Sequence, residues 1–134
     1  MTIPLWCLMI ATFLPFPWAF TCHAFRQRQF GNIDNNHPRL QMAQLTGIGA
    51  RALAAQQNAW EALAMFTPAV LTAHVNGATA GQASLAAMLF IAARIVHGFL
   101  YLADLSSLRS LVWIVGLGSV IWLFIIAAVA HSSI

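Results

Sequence analysis

From Ile3 to Phe25 the chain contains no Asp, Glu, Lys or Arg. Such a run exceeds the roughly 20 residues a helix needs to cross a hydrocarbon core. It has no basic stretch before it, its positive charge follows it, and it is too long for a cleaved leader, so it reads as a retained membrane anchor. The scarcity of charge is general. Of 134 residues, 60% are hydrophobic and 7% charged, whereas a soluble domain carries about 25% charged residues. So little charge cannot cover a water-facing surface, and disorder has the opposite composition. The net charge of +3 comes from scattered arginines, not the clustered basic face that nucleic acid requires. The chain reads as one small, all-α, polytopic membrane domain.

Cys7 and Cys22 lie too far apart on one helix to bridge, and no Cys/His spacing fits a metal, so neither a disulfide framework nor a metal site is expected.

Four apolar spans are expected, at about 3–25, 42–75, 83–103 and 110–130. Pro15 and Pro17 should bend the first, as membranes tolerate when neighbours satisfy the freed carbonyls. Residues 26–41, RQRQFGNIDNNHPRLQ, form the one hydrophilic loop, marked by Gly31, Asn35, Asn36 and Pro38. The second span is longer than the hydrocarbon is thick and polar in its first half, so it should protrude from the lipid, with a kink at Pro68. Loop 26–41 holds three Arg against one Asp. The positive-inside rule puts it in the cytoplasm, together with the turn 104–109, and both termini outside.

Charged side chains that fall within spans are expensive in lipid and usually face a protein interior or a polar cavity. On the second span Arg51, Asn58 and Glu61 share one face, within an arc of roughly 80°. On the third, Arg94, His97 and Tyr101 lie within roughly 60°, and Asp104 extends the stripe. Antiparallel spans bring these faces to the same depth and suggest one shared polar pocket, with the first and fourth spans facing lipid. The plainer reading of each residue stands beside this. Glu61 and Arg94 can be a structural ion pair, His97 a packing residue and Tyr101 part of the interfacial aromatic belt. Arg26, Arg28 and Arg109 then serve as positive-inside anchors, and Trp113 packs or joins the belt. Alanines around Asn58 suit close helix–helix approach.

RALAAQQNAWE (51–61) resembles the R-x-x-R-A-x-x-N-x-x-E stretch on the second helix of the MAPEG family, the membrane-associated proteins of eicosanoid and glutathione metabolism. RIVHGFLY (94–101) and LRSLVW (108–113) resemble its third helix and fourth-helix start, particularly in bacterial members. The resemblance implies a homotrimer of four-helix bundles in the plasma or inner membrane, with glutathione as co-substrate between neighbouring subunits on the cytosolic side. Carried over by position, it implies that Arg51, Asn58, Glu61, Arg94 and His97 hold glutathione. Tyr101 and Arg109 would stabilise its thiolate. Two departures stand out: Ala54 occupies the place of the family's second helix-2 Arg, and Ala64 that of a common proline.

The chemistry suits these residue types. Glutathione carries two carboxylates and an ammonium; Arg forks grip carboxylates, and Glu61 would meet the ammonium. A thiol titrating near pH 8.5 is ionised more readily beside a cation. A lipophilic electrophile would reach it sideways from the bilayer, between the first and fourth spans. The expected function is therefore a glutathione-dependent membrane transferase or peroxidase. The alternative is a non-catalytic lipid-binding or partner-presenting protein of the same fold, which Ala54 favours. A small four-span multidrug transporter is the third reading; those typically carry a lone Glu in the first span, which is uncharged here.

Overall fold

A computed structural model describes residues 1–131. Its elements are all helical: α1 (Ile3–Phe13), α2 (Pro15–Phe30), α3 (Pro38–Ala43), α4 (Gly47–Val75), α5 (Ala80–Leu102) and α6 (Ser106–His131). The break between α1 and α2 falls at Leu14, where Pro15 and Pro17 remove two backbone donors. The two helices nonetheless form one apolar stretch, Ile3–Phe30. Among the described residues, three stretches are long and apolar enough to span a membrane: Ile3–Phe30, Ala80–Leu102 and Ser106–Ala130. Helix α4 is not among them, because Arg51, Gln56, Gln57, Asn58 and Glu61 dilute its first half. It runs unbroken through Pro68, where the Thr72 hydroxyl donates to the Pro68 carbonyl at 2.6 Å.

Two expected boundaries move. The first helix continues five residues beyond Phe25, to Phe30, so the loop expected at 26–41 shrinks to residues 31–37. The helix expected from Met42 is interrupted at residues 44–46, separating the short α3 from α4. Glycine sets both corners: Gly31 caps α2 at φ 71° and Gly47 opens α4 at φ 56°, left-handed values that cost other residues a Cβ clash.

The loop is pinned by a side chain that sequence reasoning treated as a membrane anchor. Arg26 is buried, and its guanidinium donates to the Gln41 side-chain oxygen and to the Asp34 carbonyl. The same Gln41 oxygen accepts the Asp34 backbone N–H, and its amide donates to the Asn32 carbonyl. Asp34 in turn accepts the backbone N–H groups of Asn36 and His37 at 2.8 and 3.0 Å. These bonds hold its carboxyl below the usual carboxylate range, the His37 N–H contributing most.

Along α4 a buried row runs through Ala52, Ala55, Ala59, Ala62, Phe66, Ala69 and Ala73, alternating three and four apart, with Gly49 and Val70 buried beside it. This is the 3.5-residue seam of helices wound left-handed about each other. Lipid tails are as apolar as side chains, so close backbone approach through small residues, not hydrophobic transfer, holds such helices together. Helix α5 answers with Ala83, Ala86, Ala87 and Phe90, and α6 with Val120, Leu123 and Ala127. Within this core Phe66 and Phe90 stack 3.9 Å apart and nearly parallel. Helix α6 packs along both α5 and α4, so the expected lipid-facing span buries a full face of its own. Gly98 makes room for the Trp18 indole. A Cβ there would collide with the Trp18 ring, which stands perpendicular to Phe99 at 5.3 Å between ring centres. Cys7 and Cys22 are free thiols in separate packing clusters.

Candidate functional site

The two polar faces do meet. Arg94 is 4% exposed, and its Nη2 donates to Asn58 Oδ1 at 2.5 Å and to the Asn58 carbonyl at 3.3 Å. A guanidinium only donates, so Oδ1 must face it and the Asn58 amide must point away. That amide donates to Glu61 Oε2 at 3.2 Å. The expected Glu61–Arg94 ion pair is therefore not direct. Asn58 stands between them as a relay, and Glu61 itself lies exposed on the outer side of α4.

Asn58 also borders a cavity of about 380 Å³ between α4, α5 and α6. His97 and Tyr101 line it from α5, and Arg109, Ser110, Trp113 and Ile114 from α6. The chain's one tyrosine sits here, with the Arg109 guanidinium 4.1 Å above its ring and the His97 ring edge-on at 5.2 Å. Cation–ring contact of this kind holds an arginine without consuming its five N–H donors. Arg109 thus presents donors to the cavity beside the Tyr101 ring, over a wall supplied by Trp113 and Ile114.

Of the seven site candidates, four line this cavity: Asn58, His97, Tyr101 and Arg109. Arg94 lies behind it, and its Nε, among the described residues, is the buried side-chain atom without a partner. Glu61 is joined to the group only through Asn58. Arg51 is elsewhere. Its Nε donates to the Leu102 carbonyl at 3.3 Å, and its Nη1 lies 3.7 Å from Asp104 Oδ2. It ties α4 to the turn between α5 and α6, where Asp104 takes a left-handed φ of 59°. The partner it lacked on its own helix is Asp104, a residue first read as the end of the α5 stripe.

Ser110, Trp113 and Ile114 are the lining residues that sequence reasoning missed. A signal existed. Arg109 and Trp113 are four apart on a helix, hence neighbours on one face. It was masked by Trp113 being an ordinary membrane-interface residue.

No curated protein and no solved structure matches the chain. A model of the MAPEG family matches residues 3–129. That is nearly all of it, and it takes in α4, α5 and the α6 start, which carry every residue of the cavity. With three stretches able to cross a bilayer, this is an integral membrane protein related to glutathione and eicosanoid metabolism, and it belongs to the MAPEG family.

Proposed function

We propose that the protein is a glutathione-dependent membrane transferase or peroxidase acting on lipophilic electrophiles. Each subunit forms a four-helix membrane bundle, and three subunits assemble with the site where they meet. The observation that carries this reading is Arg109 held over Tyr101 at the mouth of a cavity with one polar and one apolar wall. Glutathione's thiol, placed between the Arg109 donors and the Tyr101 hydroxyl, would ionise below its usual range because both stabilise the thiolate. The thiolate then attacks an electrophilic carbon, whose leaving group departs, or the outer oxygen of a hydroperoxide. In the second case the O–O bond breaks, and the alkoxide takes up a proton and leaves as alcohol. The glutathione sulfenic acid condenses with a second glutathione to disulfide and water. Trp113 and Ile114 offer the lipophilic partner its surface.

Exposed Glu61 supports assembly. A carboxylate on the outside of a bundle is costly against lipid. A neighbouring subunit together with the glutathione ammonium would cover it. Loop 31–37 and the turn at Asp104 face the cytoplasm on this reading, with both termini on the other side.

A second reading draws on a specific observation. Arg51 is spent on Asp104 and Leu102, Arg94 on Asn58, and Ala54 supplies no charge. Of the three arginines assigned to the site, Arg109 alone remains for a ligand carboxylate or thiolate, which suits a non-catalytic lipid-binding member of the family. Calorimetric titration of glutathione into the purified protein in nanodiscs separates the two, combined with turnover of an activated aryl halide and an organic hydroperoxide. Binding with turnover supports the enzyme. Absence of binding at millimolar glutathione refutes it.

A further inference from the structure

A second cavity, of about 220 Å³, lies at the opposite end of the helices. Its floor is Pro4 of α1, Val70 and Ala73 of α4, and Ala83 of α5, all buried. Ala73 is 15 residues beyond Asn58, about 22 Å along α4, so this hollow is separate from the Arg109 cavity. A smaller apolar void of about 150 Å³ is known to hold a benzene-sized molecule and to exclude water. The hollow exists because its walls are alanine and glycine, where a leucine would close it.

The rim is of another character. The hydroxyls of Thr2 and Ser84 and the imidazole of His74 border the opening. Ser84 donates to the Ala80 carbonyl at 2.6 Å, which leaves its oxygen free to accept. Thr2 precedes α1 with its hydroxyl uncommitted to the helix. Among the described residues, no Asp, Glu, Lys or Arg lines the cavity, which favours a neutral headgroup over a strongly charged one. Two membrane-length stretches, Ile3–Phe30 and Ala80–Leu102, begin at this rim, which sets it at the boundary between hydrocarbon and water. A polar rim at that boundary over an apolar, dead-ended floor matches one shape of molecule: a small neutral head with a single chain.

We propose that this cavity binds the head end of a neutral, single-chain lipid bearing a hydroxyl. The hydroxyl lies among Thr2, His74 and Ser84, and the first methylenes lie on Val70, Ala73 and Ala83. The site is independent of glutathione.

The test uses the full-length protein in phosphatidylcholine nanodiscs and a long-chain alcohol with a diazirine close to its hydroxyl. Photolysis should concentrate label on the peptide spanning residues 70–84, and excess unlabelled decanol should suppress it. Ala83→Leu fills the floor and should cut that labelling about tenfold. Thr2→Val keeps the shape but removes a rim hydroxyl at an exposed position, and should cut it several-fold even where Ala83→Leu fails to fold. Arg109→Ala, at the other end, should leave it unchanged. Label spread evenly over the lipid-facing sides of α1 and α6 would overturn the proposal. So would label on residues 70–84 that neither decanol nor Thr2→Val reduces.

Discussion

Arg94 and Asn58 hold each other across α5 and α4, with the guanidinium on both the side-chain oxygen and the carbonyl of the asparagine. The contact fixes which way the amide points, and so aims its donor at Glu61. One buried cation thereby orients an exposed carboxylate on a different helix. Changes at the two ends of this relay should have separable effects. Asn58→Ala removes the side-chain acceptor of buried Arg94, leaving it only the backbone carbonyl at position 58, and should cost about 1–3 kcal/mol. Glu61→Gln keeps the hydrogen bond and should leave the melting temperature nearly unchanged while weakening glutathione binding. Thermal melts alongside glutathione titrations distinguish the two. Equal loss of stability in both variants would mean that Glu61 serves packing alone.

Gly98 is expected to be intolerant of any side chain. The Trp18 indole fills the place of the missing Cβ, and an overpacked core costs about 1–3 kcal/mol. Gly98→Ala should lower the melting temperature, and adding Trp18→Leu should recover part of the loss. A double-mutant cycle measures the coupling. Additive effects would show that the two residues do not share the space.

Arg51 and Asp104 form a partly exposed pair, of a kind worth about 0–1 kcal/mol. Asn tolerates the left-handed backbone at position 104, so Asp104→Asn removes the charge without straining the turn. Stability should change by less than about 1 kcal/mol. If Arg51 also serves glutathione, as the family resemblance implies, freeing it should raise affinity, whereas Arg51→Ala should lower it. Unchanged affinity in both variants would confine Arg51 to tying the turn to α4.

The Asp34 corner should loosen in acid. Its carboxyl titrates below the ordinary value, chiefly because the His37 backbone N–H donates to it. The stabilisation is therefore fully present above the unfolded value near pH 3.9 and is lost as pH falls through the lower folded value. Asp34→Asn should remove this dependence. The chemical shifts of the Asn36 and His37 amides, followed from neutral pH downwards, report it directly. An Asp34 titration at or above the ordinary carboxylate value would contradict the assignment.

Much of the architecture was legible because lipid punishes charge. The long apolar runs and the polar faces of Arg51–Asn58–Glu61 and Arg94–His97–Tyr101 follow from that penalty and helical periodicity. The convergence of Asn58 with His97 and Tyr101 was foreseeable on the same grounds. The direction of each bond was not. Whether Arg94 meets Glu61 or Asn58 turns on a few ångströms of helix register, which a period of 3.6 residues does not specify. Arg26 looked like a solvated anchor, since a basic residue after a span ordinarily is one. Its burial depends on Gln41, fifteen residues away across a corner that Gly31 creates. The alanine seam of α4 was visible as composition, but the space for Trp18 at Gly98 required knowing which helices touch.

The central claim is that Arg109, held on Tyr101, stabilises a glutathione thiolate. Ultraviolet difference absorbance of the purified protein on adding glutathione at neutral pH tests it most directly. The wild type should give a saturable thiolate signal. Tyr101→Phe should reduce it while preserving the ring beneath Arg109, and Arg109→Ala should abolish it with folding and assembly intact. A wild-type protein that binds glutathione without any thiolate signal, or an Arg109→Ala variant that keeps the full signal, would contradict the account.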